Sequence, residues 1–169
     1  MNNFVKRTIS GIGFAAIMLA AFLTNKFIFG AVMLFALIVM MWEFLRMTCG
    51  KEYRYSQILS IVAGVTLFTL VYLYRGFNFP GRLVILAFVP VFILMINSLY
   101  VKDKSRFNKF ANLYTAIIYI AVPWSVLNFA AFSAEGDFNG MLLLCFFAII
   151  WGSDVGAYLF GITLGQKYG

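Results

Sequence analysis

The chain has 169 residues, of which 63% are hydrophobic and 11% charged, with a net charge of +7. A soluble globule of this length cannot hide that much apolar surface, so the composition points to an all-α, polytopic membrane protein. There is no histidine, which excludes His-based general-base catalysis, catalytic triads and His-ligated zinc.

Six apolar runs follow in chain order, at residues 9–24, 27–45, 57–74, 83–100, 112–132 and 141–164. A spanning helix needs about 20 residues at 1.5 Å each. The runs therefore predict about six transmembrane helices, the first short and the last long. Lys6 and Arg7 precede the first run as they would precede a signal peptide. No small-residue cleavage site follows, and the second run begins after only Asn25 and Lys26. The first run thus reads as a retained anchor in a tight helical hairpin. No repeat or low-complexity tract divides the sequence, so residues 1–169 read as one transmembrane helical domain.

The cations lie between the runs. Lys6, Arg7, Arg46, Lys51, Arg54, Lys102, Lys104, Arg106, Lys109 and Lys167 fall on one face, and Lys26, Arg75 and Arg82 on the other. This asymmetry predicts that both termini are cytoplasmic. It explains the positive charge better than nucleic-acid binding, since no basic stripe with interleaved stacking aromatics is present. The same topology sets Cys49 and Cys145 near opposite faces, too far apart for a disulfide.

Two of the six acidic residues lie inside apolar runs, Glu43 and Asp154. Both fall in the cytoplasmic half, as do Asn97, Ser98, Asn112, Thr115 and Ser153; Ser125 and Asn128 fall in the outer half. A polar cavity open to the cytoplasm would account for that asymmetry. Glu43 has Arg46 one turn away as an interfacial partner. Asp154 has no basic residue at i±3 or i±4. A charge at mid-bilayer depth costs about 2.5–3.5 kcal/mol on insertion scales, and such residues usually face a cavity or a partner.

The sequence around it, "WGSDVGAYLFGITLG" (151–165), is rich in small residues. Ser153, Ala157, Gly161 and Gly165 recur every fourth position, and Gly152 and Gly156 form a second row. One reading is a surface for close helix packing. Another is a site in which backbone amides approach a ligand beside a carboxylate, as suits a metal-bound phosphate. The loop "KDKSRFNK" (102–109) adds four cations that either set topology or hold an anionic lipid head group.

The segment "SDVGAYLFGITLG" resembles the Ser-Asp-x-Gly-Ala-Tyr-x-x-Gly-x-x-x-Gly segment of phosphatidate cytidylyltransferases, the CDP-diacylglycerol synthases. "KRTISGI" and "WEFLRM" are similar to that family's basic start and to the close of its second span. The resemblance implies a multi-span nucleotidyltransferase of the cell inner (plasma) membrane, with its site facing the cytoplasm. It implies CTP, phosphatidate and other anionic lipids as partners, Mg²⁺ as cofactor, and a homodimer among the assemblies it allows. Asp154 would be the catalytic and metal-binding residue, with Ser153, Gly156, Tyr158 and Lys167 at the substrates. The family's later Lys-Arg, Lys-Asp, His-Gly-Gly and Asp-Arg-x-Asp elements do not occur, and Gln166 stands where a Lys is frequent. The chain therefore reads as the N-terminal part of a longer enzyme, inactive by itself. A CTP-dependent lipid-alcohol kinase of the dolichol or phytol type is a second enzyme reading. A non-catalytic transporter or assembly partner is a third, although a transporter would show broken helices in two halves, and a glycine-rich break is expected only in the sixth run.

Overall fold

The computed structural model describes residues 3–51, 53–100 and 108–168, which are almost wholly helical. The elements are α1 (Asn3–Leu23), α2 (Lys26–Cys49), α3 (Arg54–Gly76), a 3₁₀ segment (Gly81–Ala87) leading into α4 (Phe88–Leu99), α5 (Asn108–Ala116), a π segment (Ile117–Ala121), α6 (Val122–Ala131) and α7 (Met141–Tyr168). Four described segments are long and apolar enough to cross a membrane: Lys26–Cys49, Arg54–Gly76, Gly81–Leu99 and Lys109–Ala131. Gly11–Leu23 and Met141–Ala157 are shorter apolar helices. The chain is thus an all-helical membrane protein, and each helix or helix pair coincides with one of the six apolar runs.

The helices overshoot those runs. α2 continues through Arg46, Met47, Thr48 and Cys49, and α3 begins at Arg54, three residues before its run. Hydropathy marks what sits in hydrocarbon, whereas a helix continues until its backbone is capped. Asn25 starts α2: its side-chain oxygen accepts from the amides of Phe27 at 3.1 Å and Ile28 at 3.0 Å, satisfying two otherwise orphaned donors. This single polar residue makes the α1–α2 hairpin tight.

The core is built on one stripe of α2. Phe29, Met33, Leu37, Met41, Leu45 and Cys49 recur every fourth residue, and all are buried. α3 meets this stripe at Gly64, on a face where Ser60 and Ala63 are also buried. A Cβ at Gly64 would collide with Met41 Sδ and come 3.0 Å from Ala121 Cβ. Small residues let backbones approach where lipid gives no hydrophobic drive to associate. Polar bonds cross the same interfaces. Trp124 Nε1 donates to Met33 O at 2.8 Å, Ser60 Oγ to Leu113 O at 2.8 Å, and Tyr72 OH to Lys26 O at 2.7 Å. The outward faces carry large apolar residues such as Ile12, Phe35, Ile85 and Ile149, as lipid-facing surfaces do.

The expected glycine-rich break in the sixth run does not occur: α7 is continuous from Met141 to Tyr168. The irregular segments are in the fourth and fifth runs, and proline explains them. Pro80 precedes the 3₁₀ segment. Pro123, at the start of α6, has no N–H to close an ordinary helical turn, and the wider π turn comes just before it. The two cysteines are free, Cys49 buried at the end of α2 and Cys145 exposed near the start of α7.

Candidate functional site

α7 leaves the bundle as it rises. Its first turn is clamped to α1, because Gly140 lies directly against the backbone carbonyl of Phe22. Leu143 is buried there, and Phe147 packs edge-on against Phe22 at 5.8 Å between ring centroids. Beyond this anchor, the described side chains up to Gly161 are exposed on nearly every side. Trp151, Gly152, Ser153, Asp154, Val155 and Ala157 are all exposed, and Gly156 is half-buried.

Asp154 stands thirteen residues beyond Met141, roughly 20 Å along the helix axis. That is about two-thirds of the way across a hydrocarbon layer some 30 Å thick. At 100° per residue Ala157 and Gly161 share its face, within about 60°, while Gly156 points to the opposite side. Cβ atoms at Gly152, Gly156 and Gly161 would meet nothing within 4 Å. Gly152, Gly156 and Gly161 thus pack against no described helix, and the carboxylate looks out over an open strip. Tyr158 and Lys167 carry side chains that lie outside the described residues, as do the loop cations Lys102, Lys104 and Arg106.

The polar groups expected to surround Asp154 are engaged elsewhere. Asn97 Nδ2 donates to Ser56 Oγ at 2.7 Å, tying α4 to α3. Ser98 and Thr115 return their hydroxyls to their own helices, at Met95 O and Ala111 O. Glu43 is exposed on α2, and among the described residues no ion pair joins it to Arg46. Arg46 instead lines a cup with Lys51 and Arg54. Sequence reading treated these three cations only as topology signals. The missing cue was Gly50, whose left-handed backbone (φ +64°) folds the corner between α2 and α3 back on itself.

At the other end, Arg75 holds the loop before α7 through Phe132 O at 2.9 Å and Ser133 O at 3.0 Å. Asn128 is fully buried nearby in sequence, with Nδ2 on Ser125 O and Oδ1 without a partner among the described residues. No group of three or more Cys, Asp or Glu side chains that could hold a metal occurs among the described residues. Asp154 alone offers a metal one carboxylate.

No curated protein and no solved structure matches the chain. The model of the cytidylyltransferase family matches residues 5–168 and so covers α1 through α7. That span takes in both the stripe of α2 and the Asp154 segment of α7, and the chain belongs to the cytidylyltransferase family.

Proposed function

We propose that the chain serves phosphatidate cytidylyltransfer, joining CTP and phosphatidate into CDP-diacylglycerol and pyrophosphate in phospholipid synthesis. Family membership supports a CTP-using transferase, and the apolar helices support a membrane-embedded, lipid-borne acceptor. The observation that carries the reading is Asp154, a carboxylate exposed deep along α7 within the matched segment. In this reaction a phosphatidate oxygen attacks the α-phosphorus of CTP. A new phosphoanhydride bond forms as the bond to the β-phosphate breaks, and pyrophosphate leaves.

Two polyanionic substrates must meet, so a lone carboxylate repels both unless it has another task. It accepts a hydrogen bond from ribose hydroxyls or the cytosine amino group, or it helps to hold a cation between phosphates. Ser153 and Tyr158 are the supporting polar groups on the same helix, and Gly156 and Lys167 complete the expected set. The described residues do not by themselves form a Mg²⁺ site. We also infer six crossings with both termini in the cytoplasm, from the charge asymmetry. A homodimer remains among the assemblies this reading allows.

The test is transfer of radiolabelled CTP to phosphatidate in membranes carrying the protein, wild type and Asp154→Asn. Label in CDP-diacylglycerol, lost in the variant at normal expression, supports the reading. Label transferred instead to a lipid alcohol, or undiminished by the substitution, overturns it.

A further inference from the structure

The seam between α1 and α7 has a register that starts at its closed end. Gly140, just before α7, lies against the backbone of Phe22. Farther along α7, Phe147 packs beside Phe14, with 6.2 Å between ring centroids. The contact positions fall along α1 as they rise along α7, so the two helices are antiparallel. A step of seven residues brings a helix back to within about 20° of the same face. Seven residues beyond Phe147 stands Asp154, and seven before Phe14 stands Arg7. α1 is helical from Asn3, and α7 through Tyr168. The backbone therefore sets Arg7 and Asp154 opposite one another in this seam, about 10 Å past the aromatic contact.

Both positions continue the faces by which the helices meet. Asp154 lies within about 20° of Leu143 and Phe147 on α7, and Arg7 within about 20° of Phe14 and Met18 on α1. Leu143 and Met18 are buried. Lys6, the neighbouring cation, is about 100° round the helix from Arg7. The seam also widens in that direction. At Gly140 there is no room for a methyl group. At the next level aromatic rings fill the gap, Phe14 and Phe147 with Trp151 at 5.1 Å from Phe147. Beyond them a Cβ at Gly11 would meet nothing within 4 Å. Each level needs a longer bridge, and at the open end the sequence sets an arginine against an aspartate.

We propose that Arg7 is the positioning residue for Asp154, the two forming an ion pair that closes the open end of the α1–α7 seam. The side chain of Arg7 lies outside the described residues, but its place on the helix does not. A carboxylate at membrane depth is costly alone, and such charges pair with one another across helices. Arginine suits the task because its guanidinium stays charged and holds a carboxylate by two parallel bonds. An ionised carboxylate has lone pairs beyond those two bonds. Held in this way, Asp154 keeps acceptor sites for a substrate hydroxyl or amino group. Only this last step rests on the proposed transfer reaction; the pairing itself rests on the register.

The test is a charge swap read by thermal unfolding of the purified chain in neutral detergent, with no CTP or lipid substrate present. Arg7→Asp sets two carboxylates against each other and should lower Tm by about 3–6 °C. Adding Asp154→Arg to it restores the pair in reverse, and at least about half of that fall should be recovered. Lys6→Asp makes the same change of charge at the same end of α1 but off the seam, and Asp154→Arg should recover nothing there. Recovery is what a merely structural role for either residue would not give. No recovery with Arg7→Asp overturns the proposal, as does equal recovery with Lys6→Asp. Should Arg7→Asp not fold, the neutral cycle decides: Arg7→Gln and Asp154→Asn together should lower Tm no further than the larger single change, and additive falls overturn the pairing. In the transfer assay, Arg7→Gln should slow the reaction and Arg7→Lys restore most of the rate. Pairing without any effect on transfer would remove the positioning role and overturn that part of the proposal, whereas failed pairing leaves the transfer reading of Asp154 to its own test.

Discussion

The junction of α7 with α1 gives the sharpest test of the packing. Gly140 is not constrained by an unusual dihedral; it is constrained by space. A Cβ there would overlap the Phe22 carbonyl oxygen and lie 2.9 Å from both its carbonyl carbon and its Cα. These are backbone atoms of a regular helix and have no rotamer by which to withdraw. Gly140→Ala must therefore push α7 away from α1, loosening buried Leu143 and the Phe22–Phe147 contact. Overpacking of this kind costs about 1–3 kcal/mol, and an unyielding backbone neighbour argues for the upper end. For a chain of this size that is a fall in Tm of about 6–12 °C. Gly152→Ala is the matched control: the same methyl group, on the same helix, meets nothing within 4 Å. There the better helix propensity of alanine should add up to about 1 kcal/mol, or about 2–4 °C. Thermal unfolding in detergent, followed by size-exclusion chromatography after heating, reads both. Equal shifts for the two variants would refute the assignment of the α1–α7 clamp.

Trp124→Phe keeps the ring but removes the bond to Met33 O; interhelical bonds in membranes average about 0.6 kcal/mol, so Tm should fall by roughly 1–3 °C. Ser60→Ala loses a comparable bond to Leu113 O and should behave alike, a larger fall than 6 °C in either pointing to a role beyond the hydrogen bond. Asp154→Asn is expected to reduce cytidylyl transfer strongly while expression and insertion stay near normal; activity within a few-fold of wild type would take Asp154 out of the transfer chemistry. A cysteine at Ser105 should be labelled by an impermeant thiol reagent only from the cytoplasmic side, and one at Glu135 only from the opposite side. Reversed labelling would invert the proposed topology.

How much of this could be read from the sequence depends on what each residue answers to. The six helical stretches were legible because lipid demands apolar length, and length shows in a hydropathy run. Their ends were less so, since Arg46 to Cys49 are helical for backbone reasons that hydropathy does not measure. The buried face of α2 was not legible at all: the helix is apolar all round, so Met33 and Phe35 look alike until the other helices bury one and leave the other exposed. The π turn was overlooked in favour of the glycines of α7, although Pro123 carried the stronger backbone signal; a glycine permits a break, whereas a proline removes a donor and forces one. Asp154 stood out because a charge in an apolar run is costly wherever it points. The cations of the α2–α3 corner did not stand out, because three positive residues near a span end already have a sufficient explanation in topology. What distinguishes them is convergence, and convergence comes from Gly50 turning the chain so that residues eight positions apart share one cavity. A charge count locates cations on a side of the membrane, but only the fold shows whether they stand apart or line one cavity together.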